Sequence, residues 1–425
     1  MIKSLMVISV LGVATGAQAA GFALIEQSGS SMGNAYAGAA AIAEDASTIF
    51  FNPAGMTYIL GTQVVGVLHL IKPSAEFNNQ GSEAANAGRP LGDEGPDLGG
   101  LAFVPNFYYK RDLTDNVKFG LGLTAPFGLK TEYDAKWVGR FQADKSEVKT
   151  ININPSLAFK VNDQLSLGFG VSAMRAEATL TRAVNFGPFG EGTVEVKGDD
   201  WGFGYNLGAI YQATVDSRIG IAYRSKLSQH LDGGVKFQHP AGLSAPLVAA
   251  TPSGGGTADL TLPESFSVSA FSRLDNQWDV MADVTWTRWS QFKALAVYRD
   301  SGALLSNTPE NWDNTLRYSL GVSYRYNDPL KLRAGLAYDQ EAISNEFRTA
   351  RTPGNDRKWL SLGASYQVTS ASKLDIGYSH LFIRDAKIDD DQTAVSATAP
   401  FNNGRLRGDF KGRVDILSLQ LTHNF

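Results

Sequence analysis

Near its C-terminus the chain is apolar at Leu417, Leu419, Leu421 and the terminal Phe425, with Ser418, Gln420, Thr422 and Asn424 interleaved. A period of two marks a β-strand with one wet and one apolar face. The same pattern predicts strands near Gly61–Lys72, Gly100–Arg111, Asn116–Pro126, Glu147–Val161, Gln164–Thr181, Thr193–Ala213 and Ser217–His230. Further strands are expected near Ala258–Arg273, Gln277–Arg288, Asn314–Tyr326, Leu330–Gln340, Lys358–Val368, Lys373–Arg384 and Asp409–Phe425. After the N-terminus no apolar run is long enough for a membrane helix. So many half-apolar strands without such a helix predict an all-β chain, a fourteen-stranded antiparallel transmembrane β-barrel.

The connections support this reading. Six are short and built from turn formers, among them Asn162-Asp163, Leu274-Asp275-Asn276 and Asn327-Asp328-Pro329. The connections that alternate with them are long and rich in Gly, Pro and charge: Pro73–Gly99, Phe127–Ser146, Arg182–Gly192, Leu231–Thr257, Trp289–Asp313, Ala342–Arg357 and Asp385–Gly408. Short periplasmic turns and long outer loops are the outer-membrane arrangement, and an even strand count returns the C-terminus to the periplasmic side. Aromatic residues near strand ends, such as Tyr108, Trp201, Trp286, Tyr324 and Trp359, suit a membrane interface.

Composition changes the picture in three ways. An apolar content of 43% and a mean hydropathy of −0.14 would suggest a soluble protein, but a barrel hides its character behind polar lumen residues. There is no cysteine, so disulfides and thiolate sites are excluded, and a net charge of −4 gives no reason to expect a nucleic-acid partner. Lys3, the apolar run Leu5–Val13 and Ala17-Gln18-Ala19 form a secretory signal over residues 1–19, which places the mature start at Ala20.

Chemistry by catalysis is not expected. The five histidines have no metal-ligand spacing, and no Gly-x-Ser-x-Gly elbow is present. No cofactor and no metal are implied. A barrel hydrolase acting on lipids could still assemble its residues across strands, and a general porin is the other structural alternative.

Ala20 to Leu60 does not alternate. It is rich in Gly, Ala and Ser, as a compact plug would be. Within it, Ala20-Gly21-Phe22-Ala23-Leu24, Gly33-Asn34-Ala35-Tyr36-Ala37-Gly38, Ala41-Ile42-Ala43-Glu44-Asp45-Ala46 and Asn52-Pro53-Ala54 follow in order. This series resembles the N-terminal hatch of the FadL family of outer-membrane transporters. The resemblance implies a Gram-negative outer-membrane location and a monomeric barrel (residues 61–425) closed by a hatch inside the lumen (20–60). It implies passive uptake of hydrophobic molecules, with long-chain fatty acids first and aromatic hydrocarbons, as in the TodX-like branch, as the alternative. It also implies a lateral gap at a kink in the third strand, against which Asn52, Pro53 and Ala54 pack as a gate. In that strand Gly120, Gly122, Pro126 and Gly128 are the residues expected to weaken pairing.

A fatty acid needs an apolar wall and a cation for its head. Phe22, Leu24, Phe50 and Phe51 are the candidates for the wall. Strand parity turns Arg182, Arg317, Lys331 and Arg333 inward, and these are the candidates for the carboxylate, against the plainer reading that they form a ladder of lumen ion pairs. The expected partners are the hydrophobic ligand, outer-membrane lipid and lipopolysaccharide.

Overall fold

A computed structural model describes residues 21–85, 89–395 and 401–425. The signal sequence expected over residues 1–19 therefore lies outside the described residues.

The strands in chain order are β1 (Gln63–Asn79), β2 (Ala102–Asp112), β3 (Val117–Thr124), β4 (Gly128–Glu132), β5 (Lys145–Lys160), β6 (Leu165–Asn185) and β7 (Glu191–Gln212). Next come β8 (Ser217–Arg224), β9 (Leu227–Gln238), β10 (Gly254–Leu262), β11 (Ser265–Arg273), β12 (Trp278–Thr287), β13 (Ala294–Arg299) and β14 (Leu304–Pro309). The last are β15 (Thr315–Arg325), β16 (Leu330–Asp339), β17 (Arg357–Gln367), β18 (Ser372–Ile383), β19 (Ala386–Asp391) and β20 (Arg405–Asn424).

Fourteen of them close a ring in the order β1, β2, β3, β5, β6, β7, β8, β11, β12, β15, β16, β17, β18, β20, every pair antiparallel. The pairing of β20 with β1, from Gln63↔Asn424 to Asn79↔Gly408, completes it. A closed ring leaves no edge, and only closed sheets and helices satisfy backbone groups in hydrocarbon. The alternation sorts side chains as expected: Leu320, Leu336, Leu362, Ile376 and Leu419 are exposed on the outside, while Ser319, Ser361, Asp375 and Ser418 point inward and are buried.

The other six strands extend the wall at the outer end. β4 pairs with β5 and β19 with β20, while β9 joins β7 to β10, β10 joins β13, and β13 joins β14. The sequence reading placed much of this material in loops. β1 runs seven residues past its expected end, and β13 and β14 lie wholly inside an expected loop. Beyond the bilayer neither face of a strand needs to be apolar, so alternation fades although the ladder continues.

Candidate functional site

Residues 21–60 fold as three one-turn helices, Gly29–Met32, Ala39–Ile42 and Thr48–Phe51, and a 3₁₀ turn, Pro53–Tyr58. Their partners lie all round the wall, which places the segment inside the lumen. The Gln420 Oε1 of β20 accepts from the Gly29 N–H at 2.9 Å. The Asn34 amide donates to the Val322 carbonyl of β15 at 2.6 Å, and the Ala40 N–H to the Ser269 hydroxyl of β11 at 3.1 Å. Asn52 donates to the Ala40 carbonyl within the plug at 2.7 Å and to the Ala209 carbonyl of β7 at 3.0 Å. Its Oδ1 accepts from the Ala54 N–H and so caps the 3₁₀ turn, with Pro53 at the position where a missing N–H costs nothing.

Plug backbone presses directly on glycines of the wall. A Cβ on Gly208 would lie 1.9 Å from Asn52 Oδ1, and one on Gly220 1.9 Å from the Ala40 carbonyl. Glycine inside a strand marks such close approach, so these positions were readable, though the sequence reading passed over them. It expected Asn52, Pro53 and Ala54 to pack against the kink of the third strand. They pack instead on β6 and β7, at Gly168 and Gly208. Gly120 of β3 receives Ile49 and Met56.

The wall itself is broken between β2 and β3. Their ladder stops at Phe107↔Leu123, while Ala102–Asn106 continue on β1 alone and β4 is laddered to β5 alone. Gly120 and Gly122 are paired on both sides and lie below the break. The interruption comes at Ala125–Phe127. There the first residues of the plug replace the missing strand. The Leu24 N–H donates to the Pro126 carbonyl at 2.8 Å and the Gly128 N–H to the Phe22 carbonyl at 2.9 Å. Asn106 reaches the Glu26 carbonyl at 3.0 Å, and Gln27 the Ala125 carbonyl at 3.0 Å.

Three cavities follow one another. The outer one, about 630 Å³, has apolar walls from Leu180, Val194, Val196, Leu295 and Val297, the cations Arg182, Arg348 and Arg351, and acids including Asp390 and Glu346. The second, about 60 Å³, is almost wholly apolar and shares Leu180, Leu295 and Arg351 with the first. The third, about 160 Å³, lies at the wall break and takes in Leu24, Phe50, Phe51, Pro126 and Arg317. Phe22 separates the second from the third. Its ring lies 5.9 Å from Phe292 and 5.7 Å from Trp312, which line the second or its border, and 4.9 Å from Trp289 and 6.0 Å from Phe127, which line the third.

The four inward cations differ in their engagement. Arg333 binds both oxygens of Glu44 at 2.8 Å and also Asp375 at 3.0 Å, and Lys331 meets Glu44 at 3.0 Å. These two tie the plug to the wall. Arg317 donates to the Ala35 carbonyl at 2.9 Å and lies over Trp359, with no ion pair among the described residues. Arg182, in the outer extension of β6, donates among the described residues to the carbonyls of Phe141 and Ala183, each at 3.4 Å, and makes no ion pair with any of them.

Arg351 was not anticipated, because it stands in a loop where parity has no meaning. Its guanidinium donates to the Ser146 hydroxyl at 2.9 Å and to two carbonyls, and no carboxylate among the described residues lies within ion-pair distance. Burial, and then the charge of Arg182, lower its pKa to about 10. Glu310, bordering the same apolar cavity, is pushed up to about 8 by burial, although the Trp312 indole donates to it at 2.8 Å. Arg182 and Arg351 thus face the outer cavity without an ion pair among the described residues, beside its apolar wall and opposite Glu346, Asp389, Asp390 and Asp391.

No helix among the described residues is long and apolar enough to cross a membrane, and the crossing is made by strands. A plugged fourteen-stranded barrel with an apolar internal path is an outer-membrane transporter of hydrophobic compounds. The chain belongs to the family described as outer membrane protein transport protein (OMPP1/FadL/TodX), whose model matches residues 10–425. It is 31% identical to the long-chain fatty acid transport protein of Escherichia coli O6:H1, over 93% of this chain and 94% of that one. It is 33% identical to outer membrane protein P1 of Haemophilus influenzae, over 89% of each. Its fold matches a Pseudomonas aeruginosa FadL homologue with a TM-score of 0.89 at 26% identity, over 96% of this chain and 100% of that one. The toluene transporter TbuX of Ralstonia pickettii, at 20% identity and a TM-score of 0.67, shares the fold over 93% of this chain and 98% of that one.

Proposed function

We propose that this protein takes up long-chain fatty acids as a monomer, without an energy source and without a chemical step. The observation that carries this reading is the pair Arg182 and Arg351, half-buried on the outer cavity and without an ion pair among the described residues, with Arg351 also lining the second cavity. The outer cavity has the size of a ligand site, and an aliphatic tail gains about 0.8 kcal/mol per buried CH₂. A neutral aromatic hydrocarbon would have no use for either guanidinium. The names of the E. coli relatives point the same way.

In the proposed path the carboxylate rests at Arg182 and Arg351 and the tail extends toward Phe22. Displacement of Phe22 joins the second cavity to the third, and the ligand leaves sideways between β2 and β4. Residues 20–60 act as the movable part and residues 61–425 as the frame. Lys331 and Arg333 hold the plug during this movement, and Arg317 lines the exit chamber.

Native mass spectrometry of the detergent-purified chain tests the assignment. Oleate should be retained in preference to toluene, and Phe22→Ala should keep oleate binding while speeding its release to lipid vesicles. Retention of neutral hydrocarbons in equal amount would overturn it.

A further inference from the structure

The outer surface of the wall carries a second feature. On four neighbouring strands the exposed face changes from apolar to cationic as it rises toward the loops. On β1, Leu68 and Leu70 give way to Lys72, and on β17, Leu362 and Leu360 give way to Lys358. On β20, Leu419 and Leu417 are followed by Asp415, Arg413 and Lys411. On β18, Tyr378, His380 and Phe382 lead to Arg384.

These cations lack the partners found elsewhere. On another face several outward basic residues are paired: Arg175 with Asp199, Lys197 with Glu177 and Arg288 with Glu264, each at 2.9 Å. Among the described residues Lys72, Lys358, Lys411 and Arg413 have no ion pair, and Arg384 reaches Asp356 only at 3.7 Å. Two acids face the group. Glu76 stands across from Lys411 in the ladder without an ion-pair contact. Asp415 is occupied, since its Oδ1 accepts from the Tyr378 hydroxyl at 2.6 Å and lies 2.8 Å from His380 Nδ1. Arg413 and Lys358 both stand next to the exposed ring of Phe382 in the ladder, so an apolar surface lies between two cations.

We propose that this face binds the phosphates of a phosphorylated glycolipid of the outer leaflet, with Lys358 and Arg413 as the principal contacts and Lys72, Lys411 and Arg384 around them. Charge complementarity commits the site to an anionic lipid: the cations sit where the apolar band ends, which is the depth of head-group phosphates, and each basic residue near an anionic membrane surface adds to the attraction. Acyl chains then lie along Leu70, Leu360, Leu362 and Leu417, and Phe382 packs under the sugar. Such a lipid would fix the wall beside β1 and β2, next to the lateral break. The site is separate from the proposed cargo path, since none of Lys72, Lys358, Arg384, Lys411 and Arg413 lines its three cavities.

The test is native mass spectrometry of the full chain in detergent, with bisphosphorylated lipid A added back. The wild type should carry a lipid A adduct that survives washing. Lys358→Gln with Arg413→Gln should weaken the adduct about 30-fold. Arg175→Gln, on the paired side, should leave it intact. Oleate binding should be unchanged in all three, which separates this result from the uptake reading, and heat-modifiable gel mobility verifies that each barrel is folded. No adduct on the wild type, equal adducts on wild type and double variant, or displacement by inorganic phosphate at the same concentration would overturn the proposal.

Discussion

Replacing Arg182 by Ala isolates the head-group interaction better than any other change. Its guanidinium makes two long bonds to carbonyls and no ion pair, so little structure depends on it. It is half-buried, and desolvation lowers its pKa, so the folded protein gains little from its charge in the absence of ligand. A hydrogen bond to a charged group contributes about 1.5–3 kcal/mol. If a carboxylate fills that place, losing the contact should weaken oleate binding about 10- to 150-fold. Oleyl alcohol offers the same tail with a neutral head, and its affinity should change less than about threefold, since no apolar contact is lost. Competition against a fluorescent fatty acid on purified protein reads both numbers. Removal of Arg182 also relieves its repulsion of Arg351, so thermal stability should stay level or rise. Equal losses for acid and alcohol, or no loss for either, would refute the carboxylate role.

Glu310 predicts a pH dependence. With its pKa near 8 it is about nine-tenths protonated at pH 7, leaving Arg351 free. As pH rises through 8 the carboxylate forms beside the apolar cavity and competes for that guanidinium, so oleate affinity should fall between pH 7 and 9, and Glu310→Gln should flatten the profile. Glu44→Gln removes the bidentate bond to Arg333 and the contact with Lys331 while Asp375 stays behind. Glu44 is half-buried, so breaking the pair from one side should cost less than the about 3–5 kcal/mol of a fully buried one, and faster hydrogen exchange across Gly29–Ala46 with an unchanged barrel melting temperature would register it.

How much of this was legible depended on the local rule. Fourteen staves could be read because the bilayer forces alternation on each, and Arg317 and Arg333 could be placed inward by parity alone. Parity could not tell that Arg333 is neutralised by Glu44 while Arg182 is not, because those partners are 289 residues apart for the first and absent for the second. Arg351 and Glu310 lie outside the regular ladder, where no period applies. The interruption falls at Pro126, whereas Gly120 and Gly122, expected to weaken pairing as well, do not interrupt the ladder. Their lumen-facing side makes room for Ile49 and Met56, and their pairing is intact.

The sealing of the wall break by the chain's own leading residues sets a condition on any sideways door. A peptide group stripped of its partner in hydrocarbon costs several kcal/mol. Here the frame asks little of whatever withdraws: proline brings no N–H, and the Phe127 N–H is already satisfied by the Thr150 hydroxyl at 3.1 Å. On that edge the Pro126 carbonyl and the Gly128 N–H lose their partners when Phe22 and Leu24 depart, and the Ala125 carbonyl loses Gln27 if the withdrawal extends that far. The lipid-facing jamb is thus built with two or three loose ends instead of a full row, and a passing guest has few groups to compensate.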